Sequence, residues 1–172
     1  ALGGPATPPP DVGDPGKLAA FFAAMQELVA EGLLVAYHDR SDGGLFATLA
    51  EMAFAGGCGL DVDLAPLGGD PIAALFAEEL GAVVQVRAAD SERARAILAA
   101  RGLANYTHRL GAPNDGARVV VRAGARVVLD EARRNLRAVW SETTLRMQEL
   151  RDDPSCAREE GLARVEDDPG RR

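Results

Sequence analysis

The sequence has only two cysteines, Cys58 and Cys156, far apart and without a CxxC spacing or a neighbouring histidine. Neither a disulfide framework nor a zinc site is expected, and reduced thiols point to a cytoplasmic protein. Long apolar runs are missing as well. None approaches the roughly 18–20 residues that a membrane span needs, and no charged-then-apolar signal segment opens the chain. Aromatic residues make up 5% of the chain, and lysine occurs once, at Lys17, among 19 basic residues. That arginine bias, with abundant Ala, Gly and Val, reads as genome composition rather than function. Positive charge is short overall: 19 basic against 26 acidic residues leave a net charge of −7, which repels phosphate backbones and anionic lipid surfaces. Nucleic acid and membrane are therefore excluded as expected partners.

What is present is enough for one core. A chain of 172 residues that is 47% hydrophobic and 26% charged is a globular domain rather than a disordered one. It opens at Ala1 and closes on Gly170-Arg171-Arg172, which reads as an excised piece of something larger. Residues 1–16 carry five prolines and four glycines and read as a linker. From Lys17, Leu18, Phe21, Phe22, Met25, Leu28 and Val29 form one stripe of an amphipathic helix ending near Gly32, with Asp14-Pro15 as its start signal. The run 33–39 is apolar and short, as expected of a strand buried on both faces. Residues 44–55 are apolar on almost every side, which predicts a deeply packed helix stopped by Gly56-Gly57 and an apolar surface left for a missing domain.

Leu60, Val62 and Leu64 alternate with Asp61 and Asp63, a strand with one wet face. A short helix follows with Ile72, Leu75, Phe76 and Leu80 at helical spacing, then a strand over 82–88 and a helix over about 90–101. Strands are expected near 105–110, 118–122 and 126–130, the last pair joined by a turn at Ala123-Gly124-Ala125. A last helix over about 131–150 carries Leu136, Val139, Trp140, Thr143, Met147 and Leu150 on one stripe, with Trp140 as a core anchor. After Pro154 the chain turns polar. The expected organisation is thus a linker over 1–16, one layered domain over 17–150, and a polar tail over 151–172. The fold class is α/β or α+β, with a mixed sheet and helices packed on it.

The densest polar cluster runs from Tyr37 to Gly44, YHDRSDGG, where a strand ends and a helix begins. Ligands in open α/β sheets lie beyond the carboxyl ends of strands, and a helix N-terminus offers free N–H groups to anions. Two carboxylates, a hydroxyl, a guanidinium and two glycines could hold a phosphate and its Mg²⁺. The plainer alternative is that Asp42 or Ser41 caps the helix while His38 and Arg40 are solvated turn residues. Elsewhere, Asp61 and Asp63 read as a wet sheet face, Glu78-Glu79 as the solvated end of a helix, and His108 as a strand residue on the surface or in packing. Glu142 and Arg146 form an ordinary i, i+4 pair, and Asn114-Asp115-Gly116 is turn chemistry.

The stretch ELVAEGLLVAYHDRSDGGLFATLAEMAFAGGCGLDVDL (27–64) resembles the second AIR-synthetase-like C-terminal domain of large-type formylglycinamidine ribonucleotide synthetase. The likeness continues through FAEELGAVVQVRAAD (76–90) and VWSETTLRMQELRDDPSCA (139–157). The resemblance implies a carbon–nitrogen ligase of purine biosynthesis with glutamine as amide donor. Its reaction turns formylglycinamide ribonucleotide, ATP and glutamine into formylglycinamidine ribonucleotide, ADP, phosphate and glutamate. It implies Mg²⁺ and ATP or ADP as cofactors, with Asp39 as a Mg²⁺ ligand, Ser41 as a nucleotide contact, and Gly43 and Gly44 letting backbone approach the nucleotide. It also implies two partners in the same full-length chain, an AIR-synthetase-like N-terminal domain and a glutaminase domain. No catalytic residue is assigned, and the piece alone is expected to be inactive. The alternatives are a domain of another ATP-using enzyme of the AIR-synthetase superfamily, or a non-catalytic packing module.

Overall fold

Asp14 starts the first helix. Its carboxylate accepts the Gly16 N–H at 2.9 Å and Pro15 fills the first turn, where a missing N–H costs nothing, so α1 spans Pro15–Ala30. The last two residues read as linker are therefore helical. The structure, a computed structural model, describes residues 11–166, and residues 1–10 of the segment read as a linker lie outside them. The other elements follow in the order β1 (Leu34–Asp39), α2 (Gly44–Gly56), β2 (Gly59–Asp63), α3 (Pro71–Phe76), β3 (Ala82–Val86), α4 (Ser91–Ala100), β4 (Gly111–Asn114), β5 (Arg118–Ala123), β6 (Arg126–Ala132), α5 (Arg133–Arg151) and α6 (Pro154–Glu166). Among the described residues no helix is long and apolar enough to cross a membrane.

The chain divides into two compact units. The first takes in the chain up to Leu45 together with Phe76–His108. Its core joins Ala24, Met25 and Leu28 of α1 to Ala94, Ile97 and Leu98 of α4, with Leu33 and Leu103, and Phe21, Leu34, Val84 and Val86 pack against it. Glu27 of α1 pairs with Arg101 just past α4 (2.6 Å), and Glu31, just past α1, pairs with Arg93 of α4. Such exposed pairs add little to stability, about 0–1 kcal/mol each, so burial of the helix faces dominates here.

In the same unit β1 pairs antiparallel with β3, with Asp39 opposite Ala82 and a bulge between Leu34 and Ala36. The expectation that β1 is buried on both faces is not met. Its burial alternates, and Val35 and Tyr37 are about half exposed. A two-stranded sheet offers its helices one face to cover, and the core residues Leu34, Val84 and Val86 lie on the covered side.

The second unit takes in Phe46–Leu75 and the described chain from Arg109 onward. It holds a four-stranded mixed sheet in the order β4-β2-β5-β6, in which β2 runs parallel to β5 and the other pairs are antiparallel. The α/β class with a mixed sheet and packed helices is as the sequence predicts. The two-stranded sheet of the first unit is an addition to it. Leu60, Val62, Val119 and Val121 are buried, as their alternation requires, and so are Leu49, Ala50, Ala53 and Phe54 of α2. Helix α2 is thus covered by its own chain and is not the open apolar surface. The turn between β5 and β6 lies where expected, with Gly124 at φ 62°. The strand expected near 105–110 is displaced: 104–106 is a single 3₁₀ turn and the ladder begins at Gly111, so His108 sits in a connecting loop.

Helix α5 also departs from its reading. Val139, Trp140, Met147 and Leu150 are 58–90% exposed, because the helix turns Leu145 toward α6 and leaves the apolar stripe outward. Trp140 is no core anchor. Its indole N–H donates to Glu51 at 2.8 Å, and its ring meets Phe54 edge-on at 5.9 Å.

Among the described residues the polar segment beyond Pro154 forms a helix, α6, rather than a tail. Asp153 caps it: the carboxylate accepts the Ser155 hydroxyl and the N–H groups of Ser155 and Cys156, which hold its pKa down at about 2. A depressed carboxylate supports the folded form above its ordinary pKa, about 3.9, and that support is lost as pH falls from there through about 2. We therefore expect the α6 amide resonances to lose helical character over this window first. An Asp153→Asn variant should start weaker and show a flatter acid response. An unchanged titration in the variant would show that Asp153 does not hold α6.

Candidate functional site

The polar cluster occupies the passage from the end of β1 to the start of α2, wholly within the first unit. Asp39 is the last strand residue, on the exposed face it shares with Val35 and Tyr37, and its side chain is 67% exposed. That charge and partial burial together raise the Tyr37 phenol above its ordinary pKa, burial being the larger cause. His38 points to the other face, its Nδ1 2.7 Å from the Asp39 carbonyl and 3.8 Å from the Asp39 carboxylate.

Gly43 and Gly44 then turn the chain into the helix at φ 79° and 63°. This left-handed region is strained for any residue with a Cβ, so backbone geometry alone calls for both glycines. The Gly44 N–H donates to the Ser41 main-chain carbonyl at 2.9 Å.

Two side chains take roles that the sequence reading did not assign. Arg40 is not a free phosphate contact: its Nε donates to the Glu79 carbonyl at 2.6 Å, and its main-chain N–H donates to the Gly81 carbonyl at 2.8 Å. Burial lowers the pKa of its guanidinium, against a smaller opposite pull from Glu79. Glu78 is not a solvated helix end. Helix α3 stops at Phe76, and the Glu78 carboxylate accepts the Gly43 N–H at 2.9 Å. The signal that would have found it is the pairing of two strands distant in sequence, and no local pattern carries that.

The remaining candidates resolve as structure. Asp61 pairs with Arg122 at 3.3 Å, and Asp63 accepts the N–H groups of Ala65 and Gly124, which lower its pKa and lock the hairpin turn. Glu142 and Arg146 pair at 3.6 Å as an i, i+4 couple, and Asn114 accepts the Gly116 N–H as turn chemistry. Cys58 and Cys156 are free thiols. Among the described residues no group of three or more His, Cys, Asp or Glu side chains converges on a point that could hold a metal ion. The 39–44 turn therefore offers a cation two exposed carboxylates, Asp39 at the strand end and Asp42, rather than a cage. This fits a Mg²⁺ ion that takes most of its oxygens from phosphates and water.

Comparison with known proteins places the fold. The phosphoribosylformylglycinamidine synthase II of Thermotoga maritima superimposes with a TM-score of 0.65 at 21% identity, over 77% of this chain and 24% of that one. The same organism's PurL complexed with ATP gives a TM-score of 0.65 at 21% identity, over 73% of this chain and 22% of that one. PurL complexed with FGAR gives 0.61 at 20% identity, over 68% and 20%. These likenesses show a common fold, and the chain spans about a fifth to a quarter of the length of those proteins. A family model described as AIR synthase related protein, C-terminal domain, matches residues 3–133, which includes the whole 39–44 turn and ends where α5 begins. The chain therefore belongs to the family of AIR synthase related proteins, of which it carries the C-terminal domain.

Proposed function

We propose that this chain is the nucleotide-facing C-terminal part of a formylglycinamidine ribonucleotide synthetase, which joins ammonia from glutamine to an amide at the expense of ATP. The observation that carries the reading is the 39–44 turn. Two exposed carboxylates, Asp39 and Asp42, one hydroxyl and two left-handed glycines lie on six consecutive residues between a strand end and a helix start. Family membership supports it, and so do the related PurL structures complexed with ATP, AMPPCP and ADP.

Within this reading Asp39 is a Mg²⁺ ligand, Ser41 contacts the nucleotide, and Gly43 and Gly44 let main chain come close to it. A bound Mg²⁺ neutralises phosphate charge. The chain's own contribution is to hold an anionic oxygen at the end of a paired strand, where little freedom remains to be lost on binding. The remaining partners are the AIR-synthetase-like N-terminal domain and the glutaminase domain of the full-length enzyme, with cytoplasmic location.

The test is Asp39→Asn in the full-length enzyme, which removes the charge and nearly keeps the shape. Retention of Mg·ADP, measured by calorimetry, should weaken by about 1–3 kcal/mol, the scale of a lost charge-assisted contact, with the melting temperature nearly unchanged. If the variant instead unfolds and its surviving fraction binds Mg·nucleotide normally, the turn is a helix start and the packing-module reading holds.

A further inference from the structure

The proposed function makes no use of Glu78, yet the fold brings this side chain to the turn by a definite route. Strands β1 and β3 pair antiparallel in a one-for-one register from Ala36 opposite Gln85 to Asp39 opposite Ala82. Continuing that register past the strand ends sets Arg40 opposite Gly81 and Gly43 opposite Glu78. Both contacts are made: the Arg40 N–H reaches the Gly81 carbonyl at 2.8 Å, and the Gly43 N–H reaches the Glu78 carboxylate at 2.9 Å. The Arg40 Nε adds a third tie, to the Glu79 carbonyl at 2.6 Å. The loop is thus held at both ends by residues 78–81, with Ser41 and Asp42 between the two anchors.

The anchors differ in kind. Two use main-chain carbonyls, which any residue at 79 or 81 would supply. The Gly43 anchor alone accepts through a side chain, that of Glu78, and it holds the one stretch of the turn, Gly43-Gly44, where the backbone has most freedom to lose. We propose that Glu78 is a positioning residue: by receiving the Gly43 N–H it fixes the Gly43-Gly44 corner, so that Asp39 and Ser41 are presented to one Mg·nucleotide together. The inference rests on the reading of this turn as nucleotide-facing. What the role requires of residue 78 is an acceptor oxygen at the reach of a glutamate, not its negative charge.

Three substitutions at this exposed position separate reach from charge. Glu78→Gln keeps the acceptor and the reach, Glu78→Asp keeps the charge but is one methylene short, and Glu78→Ala keeps neither. In the full-length enzyme, with Mg·ADP affinity read by calorimetry, the Gln variant should bind within about threefold of the parent. The Asp and Ala variants should each weaken by at least about fivefold, the scale of one ordinary hydrogen bond, at unchanged melting temperature. If the Asp variant binds normally and the Gln variant does not, the carboxylate acts by charge and the positioning role is wrong. Tighter binding by Glu78→Ala would show that the carboxylate competes with the nucleotide, and would equally overturn it. Asp39→Asn run in parallel separates the two readings. If it weakens binding while all three Glu78 variants bind normally, only the role of Glu78 falls. If it too binds normally, the nucleotide-facing assignment of the turn falls with it.

Discussion

Replacing Gly111 with alanine should destabilise the second unit by about 3 kcal/mol, the upper range for forcing atoms into a packed site, and lower its melting temperature by roughly 12–24 °C. Strand β4 crosses β2 with Ala112 opposite Asp61 and Gly111 opposite Val62. A Cβ at 111 would land on the Asp61 carbonyl oxygen, with the Asp61 carbonyl carbon at 2.9 Å and the Val62 Cα at 3.0 Å. These are main-chain atoms of a central strand, so no flexible side chain can swing aside. The response open to the molecule is to peel β4 from β2, which breaks the ladder and uncovers an edge beside Leu60 and Val62, both buried. Gly81→Ala is the internal control, because the nearest atoms there belong to the Arg40 guanidinium at ordinary contact distances of 3.8–3.9 Å. It should shift stability by no more than about 1 kcal/mol. Thermal unfolding of both variants decides the matter: equal melting temperatures would mean that β4 does not lie on β2 as described.

The second large effect is expected at Leu28. Its side chain is fully buried on the face of α1 that meets Ala94, Ile97 and Leu98 of α4. Truncation to alanine removes the transfer free energy of three carbons and leaves a cavity that two helices tied by side-chain packing close only in part. The cost should be about 3 kcal/mol, within the range seen for buried leucines. Leu150→Ala makes the same chemical change on α5, where the residue is 90% exposed, and should cost no more than about 0.5 kcal/mol. Denaturant unfolding read at a probe in each unit would compare the pair, and a mild Leu28 variant would contradict the α1–α4 core.

Much of the fold was legible because it is written in short-range periodicity. The alternation of Leu60, Val62 and Leu64 with Asp61 and Asp63, the spacing of Ala94, Ile97 and Leu98, and the Gly124 turn each report a local conformation, and each lies where the pattern puts it. The start of α1 at Asp14-Pro15 was equally readable, since capping is a property of two or three neighbouring residues. The cluster Asp39, Ser41, Gly43 and Gly44 was found for the same reason, as adjacent residues at a junction between two predicted elements. Helix α6 was missed because its mixed charges carry little helical stripe. Its signal was a cap, Asp153 before Pro154, rather than a pattern.

The sequence by itself thus determined most of the segments that become helices and strands, α6 and the displaced β4 excepted, their one-sided or buried character in the second unit's sheet, and the residues Asp39, Ser41, Gly43 and Gly44 as the candidate site. Only the tertiary structure decided what covers each face and what stands opposite each turn. The apolar run of β1 shows only that the strand can be buried. That Val35 and Tyr37 stay half exposed follows from its pairing with β3 alone and from helices on one side. The stripe on α5 is a true helical face, but nothing in its spacing states that Leu145, and not Trp140 or Leu150, would be turned toward α6. Glu78 belongs to the turn because an antiparallel register joins residues 35 positions apart. Periodicity records how a segment divides between apolar and polar sides, whereas pairing and coverage are settled by contacts between segments distant in the chain, and those are fixed only when the whole core closes.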